Sequence, residues 1–173
     1  SLLHELRADL DKASTGTGTS PSGKAAENGH TAMVQLLYDL GVDVHRARND
    51  GVCPIHEAAN GGHDQTVYLL LWLRAFTDVR DKEGRTPCWA ASGMGHTKVV
   101  RLLVMHRASL ERTTSTSSTP LYMAARENKP ECIAMLAAAK ASLEGAKAES
   151  PIVQAAYMGA DDSVRLLAHL GAR

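Results

Sequence analysis

Apolar residues fall in short bursts at helical spacing, and the bursts return at a fixed interval along the chain. Val34, Leu36 and Leu37 are followed by Val67, Leu69 and Leu70, then by Val100, Leu102 and Leu103. Ile133, Met135 and Leu136 come next, and Val164, Leu166 and Leu167 last. Each burst predicts a helix with one apolar face. Ahead of it lies a second pattern of small residues: Ala25-Ala26, Ala58-Ala59, Ala124-Ala125 and Ala155-Ala156. Such pairs make a face on which another helix can lie close. Polar stretches with the composition of turns separate the units.

The interval is 33 residues, read from Pro21, Pro54, Pro87 and Pro120. Ala25, Ala58, Ala91 and Ala124 keep the same step, as do His30, His63 and His96. Gly29, Gly62 and Gly95 also keep it, and Asn128 takes the next slot. A further copy starts after a step of 31, at Pro151, and continues through Gly159. Independent residue types sharing one period identify a repeat array. Proline suits the first turn of a helix, where its missing N–H would have had no partner. Glycine suits a left-handed helix end, and asparagine is the next residue able to adopt it. Each unit therefore reads as helix, tight turn, second helix and polar connector, an all-α design.

Three segments carry a family resemblance: Gly84-Arg85-Thr86-Pro87, Pro54-Ile55-His56-Glu57-Ala58-Ala59-Asn60-Gly61-Gly62-His63 and Gly95-His96-Thr97-Lys98-Val99-Val100-Arg101-Leu102-Leu103. They resemble the ankyrin repeat, and the resemblance runs from about residue 15 to 173. It divides a single domain, 1–173, into repeats at about 15–47, 48–80, 81–113, 114–144 and 145–173, with 1–14 as the tail of a preceding repeat. The resemblance implies a solenoid of about five stacked helix-turn-helix units with short β-hairpin or loop connectors. It also implies a concave surface, formed by hairpin fingers and first helices, that binds proteins.

The copies depart from the pattern in informative ways. The histidine that ties neighbouring hairpins in the family survives only as His56; Gly23, Trp89, Tyr122 and Val153 replace it. The glycine that ends the second helix survives as Gly41 and Gly171, with Arg7, Arg74, Arg107 and Lys140 elsewhere. A left-handed conformation at each of those side chains costs roughly 1 kcal/mol relative to glycine. The run from Thr113 to Thr119 replaces the usual Asp and Gly of a hairpin. It predicts a finger less well formed than the one at Asp81–Arg85, and its hydroxyls are candidates for phosphorylation.

Composition narrows the function classes. Lys and Arg total 19 and Asp and Glu total 19, so no net charge points to nucleic acid or an anionic membrane. Cys53, Cys88 and Cys132 are odd in number and lack metal-site spacing, which fits a reducing, intracellular and cytoplasmic setting. No apolar run approaches the roughly 18 residues that cross a bilayer, and no signal sequence is visible at Ser1-Leu2-Leu3-His4-Glu5. Cys88 and Cys132 occupy apolar slots and read as core, whereas Cys53 lies near a hairpin and reads as more accessible.

Two near-motifs dissolve in the repeat register. Gly18 to Lys24 fits GxxxxGK, but Ala25 stands where magnesium needs a hydroxyl and no apolar strand precedes it. His56-Glu57-Ala58-Ala59 begins like HExxH, but Asn60 replaces the second histidine. His30, His63 and His96 read as partners of backbone groups at the turns between helices. No nucleophilic triad, cofactor or metal site is drawn.

Register carries the family's contact positions onto this chain. Fingertips fall at Asn49, Asp50 and Val52, at Lys82, Glu83 and Arg85, at Ser115, Thr116 and Ser118, and at Lys147 and Glu149. First-helix ends fall at Glu27, Asn28, Asn60, Gly61, Gly93, Met94, Arg126, Glu127, Tyr157 and Met158. Trp89 and Tyr122 extend an aromatic strip beside them, or fill space between hairpins. The leading expectation is a non-catalytic module that binds another protein through this face, without nucleic acid and without membrane insertion. The alternatives are a structural subunit of a large assembly, held by its convex face or open ends, and a regulatory array attached to a catalytic domain outside this chain. The pattern begins inside a second helix at Leu2-Leu3-His4-Glu5-Leu6 and stops after Leu170. It therefore reads as an excerpt of a longer array with fraying, self-associating ends.

Overall fold

The computed structural model describes residues 14–145 and 150–172. The expected tail at 1–14, apart from Ser14, lies outside the described residues, as do Arg7, Lys147 and Glu149.

Ten helices form among the described residues, in five pairs. They are α1 (Pro21–Glu27) and α2 (Thr31–Asp39), α3 (Pro54–Asn60) and α4 (Asp64–Trp72), and α5 (Pro87–Met94) and α6 (Thr97–Met105). The last two pairs are α7 (Pro120–Arg126) and α8 (Pro130–Ala138), and α9 (Pro151–Tyr157) and α10 (Asp161–His169). Every first helix opens with its repeat proline at the first position. Ser20, Thr86 and Thr119 cap the starts of α1, α5 and α7, each hydroxyl accepting a backbone N–H three residues on, at 3.1–3.2 Å. A cap of this kind stabilises a helix by about 1 kcal/mol.

Each first helix packs on the first helix of the next unit, and each second helix on the next second helix. The result is an all-α solenoid two layers deep. Ala25, Ala26, Ala58, Ala59, Ala124 and Ala125 are buried in the first layer, and their small side chains let the short helices approach. The second layer supplies bulk through Val34, Val67, Leu70, Val100, Leu103, Ile133, Leu136 and Leu167, all without solvent exposure. Fully burying one such side chain is worth about 1.5–3 kcal/mol. Cys88 and Cys132 join this core, and burial pushes the Cys88 thiol up to about 12.

The turns between paired helices follow the sequence pattern. Gly29, Gly62, Gly95 and Gly159 are left-handed, with φ of 68°, 72°, 83° and 69°, and Asn128 matches them at 52°. The next unit's histidine explains a second need for glycine there. His63 Nε2 bonds the Glu27 carbonyl at 2.9 Å, and His96 Nε2 bonds the Asn60 carbonyl at 3.0 Å. A Cβ at Gly62 would come within 2.5 Å of the His96 ring. At the other end of the second helices Arg74, Arg107 and Lys140 adopt the left-handed conformation, with φ of 73°, 63° and 66°. The solenoid therefore carries that strain at three consecutive units. Connectors are tied across units as well: the Asp78 carboxylate accepts from Ser109 N–H, and Glu111 from Ser142 N–H.

Candidate functional site

Among the described residues, the connectors before α3, α5 and α7 each fold into a finger at the start of a first helix. In the finger Arg48–Val52, Arg48 N–H donates to Val52 O at 2.8 Å and Gly51 N–H to Arg48 O at 3.0 Å. The finger Asp81–Arg85 repeats this with Asp81 N–H to Arg85 O and Gly84 N–H to Asp81 O. Neighbouring fingers are joined by single backbone bonds: Asn49 N–H to Thr17 O, Lys82 N–H to Asp50 O and Ser115 N–H to Glu83 O. No regular strand forms among the described residues, so the fingers are tight turns in a row rather than extended hairpins.

The finger at Thr114–Ser118, expected to be less well formed than Asp81–Arg85, closes with the same two turn bonds but with fewer side-chain bonds to hold it. Thr114 N–H donates to Ser118 O and Ser117 N–H to Thr114 O, both at 3.0 Å. The Thr114 hydroxyl accepts from Ser118 N–H at 3.1 Å, as Asp81 accepts from Arg85 N–H. Ser117 supplies the left-handed residue at φ 61°, where the other two fingers use glycine. A hydroxyl can take the acceptor role of a carboxylate, so the turn survives without its charge.

Behind the fingers, His56 does what the family pattern implies. Its Nδ1 accepts from Cys53 N–H at 3.1 Å, which leaves the proton on Nε2 to donate to Arg85 O at 3.0 Å. Burial holds the His56 ring below its ordinary pKa, outweighing the Arg85 carbonyl. Trp89 stands in the same slot one unit on, and its indole N–H donates to Ser118 Oγ at 3.0 Å. The substitution therefore preserves the tie between fingers. Cys53 is half-buried, and burial raises its thiol pKa, which works against a reactive thiolate.

A cleft of about 210 Å³ opens between the second and third units. It gathers Asp50, Val52, Asn60, Arg85 and Trp89, five of the residues expected at the interface, with Arg48, His56, Glu57 and Asp81. Charged side chains there are locked in pairs. Arg48 reaches Glu57 at 2.6 Å and Asp50 at 2.8 Å, and Arg85 bridges to Glu83 at 3.1 Å and to Asp81. Burial alone would lower the Arg48 pKa, but the bonds to Glu57 and Asp50 hold it above its ordinary value. Burial pushes Asp50 up, yet Val52 N–H and the Arg48 charge leave it lowered. The walls are therefore lined with paired charges.

Other expected residues do not join this cleft. Asn49 is exposed at its tip, its side chain bonded to Gly16 O at 2.8 Å. Lys82 and Glu83 line a shallow depression with Arg80 and Ser115. Met94, Arg126, Glu127, Tyr157 and Met158 are exposed along the first-helix ends, Tyr157 by 83%. Tyr122 is half-buried. Register alone missed Arg48 and Glu57. The signal was Arg48 standing where the next unit has Asp81, a charge reversal that requires an acid nearby.

A model of ankyrin repeats matches the chain in three copies, at residues 1–75, 23–114 and 55–145. The chain belongs to the ankyrin-repeat family. No curated protein matches it. Ankyrin repeats are generally protein–protein interaction modules, and the fingers and first helices above are this chain's version of that scaffold. Among the described residues, no helix is long and apolar enough to cross a membrane.

Proposed function

We propose that this ankyrin array is a non-catalytic module that binds another protein through the concave face of fingers and first helices, centred on the cleft between the second and third repeats. The observation that carries the reading is the convergence of Asp50, Val52, Asn60, Arg85 and Trp89 on that one cleft. The ion pairs hold its walls in place before any partner arrives, so little ordering cost falls on binding. Trp89 and Arg85 are of the types that dominate interface energetics. The other contact positions, Asn49, Lys82, Glu83, Met94, Tyr122, Arg126, Glu127, Tyr157 and Met158, form the surround in this reading.

The test is affinity for a protein recovered by pull-down from native extract. Trp89→Ala and Arg85→Ala should each weaken binding by at least about tenfold, the range of an interface hot spot. Met94→Ala, Arg126→Ala and Tyr157→Ala should each have smaller effects. Parent-like binding by all five variants would end the concave-face reading.

A further inference from the structure

The second helices face away from the fingers, and their outward side chains recur at fixed register. Three such positions in each unit carry Gln35, Asp39 and Asp43, then Arg101, Met105 and Ser109, then Ala134, Ala138 and Ser142. In the second unit they carry Tyr68, Trp72 and Phe76, exposed by 56%, 65% and 81%. Tyr68 and Trp72 lie one helical turn apart on α4 and so share a face. Phe76 follows four residues later, no more than about 14 Å of chain away. Met105 occupies on α6 the register of Trp72 and is 70% exposed. α4 and α6 pack side by side, which sets Met105 next to Trp72.

A helix apolar all round is ordinarily buried all round. Here Val67, Leu70 and Leu71 face the core while Tyr68 and Trp72 face solvent. Nothing in the fold requires those aromatics. A basic flank borders the stripe: Lys98 and Arg101 on α6, and Arg74 and Arg107 at the helix ends, are exposed, while Asp64 stands one turn before Tyr68 on α4 and Glu131 holds the register of Lys98 on α8. None of the four cations forms an ion pair among the described residues. On the opposite flank Asp39 accepts from the Gln35 amide at 2.8 Å.

We propose that the outer face of the second and third repeats is a second docking surface, which takes an acidic segment of a partner protein laid along Tyr68, Trp72 and Met105. Carboxylates on the segment pair with Arg101, Lys98 and Arg107, and its apolar side chains cover the aromatic stripe. A second copy of this chain fits less well than an acidic segment, because two copies together bring more exposed cations (Arg74, Lys98, Arg101 and Arg107 of each) than carboxylates into one interface. An anionic bilayer fits poorly as well, because a flat surface would also press on Asp39 and Asp64. A segment one helix wide can lie along the seam where α4 and α6 pack, away from Asp39 and with Asp64 at one end of its path. The surface lies on the far side from the concave cleft, so the array can hold two partners at once.

The experiment selects random 16-residue peptides, displayed on phage, against the whole chain. Labelled winners are then titrated against Trp72→Ala, Arg101→Glu and, as a control for the other face, Trp89→Ala. Winners rich in Asp and Glu with apolar residues at helical spacing are expected. Their affinity should fall at least tenfold in Trp72→Ala, severalfold in Arg101→Glu, and should weaken with salt. Trp89→Ala should leave it unchanged, so this proposal and the concave-face reading fail separately. Basic or neutral winners, or winners indifferent to both outer-face variants, would overturn it. So would Trp72-dependent binding to phosphatidylserine vesicles in place of peptides, or a Trp72-dependent dimer by mass measurement.

Discussion

The fingers Asp81–Arg85 and Thr114–Ser118 have the same backbone and nearly opposite side-chain chemistry. Both close with the same two turn bonds, and each hands one N–H to the finger before it. The first is built on a carboxylate only 2% exposed, which accepts from Glu83 N–H, Arg85 N–H and the Arg85 guanidinium. The second replaces that carboxylate with the Thr114 hydroxyl and the glycine with Ser117. Turn geometry thus needs an acceptor and a left-handed residue, and it is indifferent to charge. The proposed function is not indifferent, because the charged finger borders the cleft that Trp89 and Arg85 share, whereas Thr114–Ser118 presents a neutral tip.

The largest effect should come from Asp81→Ala, which leaves the Arg85 guanidinium and two backbone donors without their acceptor. We expect a loss of about 2–3 kcal/mol in urea unfolding. Thr114→Ala removes one neutral acceptor and should cost about 1 kcal/mol. Equal losses would mean that the carboxylate adds nothing beyond turn geometry.

The next contrast sets His56 against Trp89, which occupy one slot in successive repeats. Because burial depresses the folded pKa of His56, the fold favours its neutral ring. As pH falls below about 6.5 the unfolded chain takes up the proton first. The contribution of His56 is therefore complete above that pH and is lost as pH falls through the depressed folded value. Trp89 does not titrate. Amide exchange at Arg85 should accelerate between pH 6.5 and 5 relative to His56→Gln, while exchange at Ser118 should show no such difference.

Ser117→Gly should be the smallest change, a gain of up to about 1 kcal/mol from relief of the left-handed side chain. Arg107→Gly should gain a similar amount for the same reason, since its φ is 63°. A loss at either position would show that those side chains make compensating contacts.

Most of the architecture was legible because repetition multiplies weak signals. One Pro, Ala or Gly says little, but Pro54, Ala58 and Gly62 recurring at Pro87, Ala91 and Gly95 fix helix starts, the packed layer and helix ends together. The interface was less legible. Register placed Asp50, Arg85 and Trp89 among the fingers and first helices but could not show that they converge, because convergence depends on side-chain direction. Arg48 and Glu57 were missed because the trace they leave is a departure from the period, Arg48 in the register of Asp81, and not a recurrence. That the Ser/Thr finger still closes the same turn was not legible, because its hydroxyls were counted as an absence of Asp rather than as acceptors. The stripe Tyr68, Trp72 and Phe76 breaks the period, and a search for what repeats passes over it.

Hydrogen exchange of the array with and without a captured partner tests the central claim most directly. The account predicts new protection at residues 48–60 and 81–90, the walls of the cleft between the second and third repeats, with smaller changes at 122–127 and 150–158. Protection confined to the second helices, with residues 48–60 and 81–90 unchanged, would contradict it.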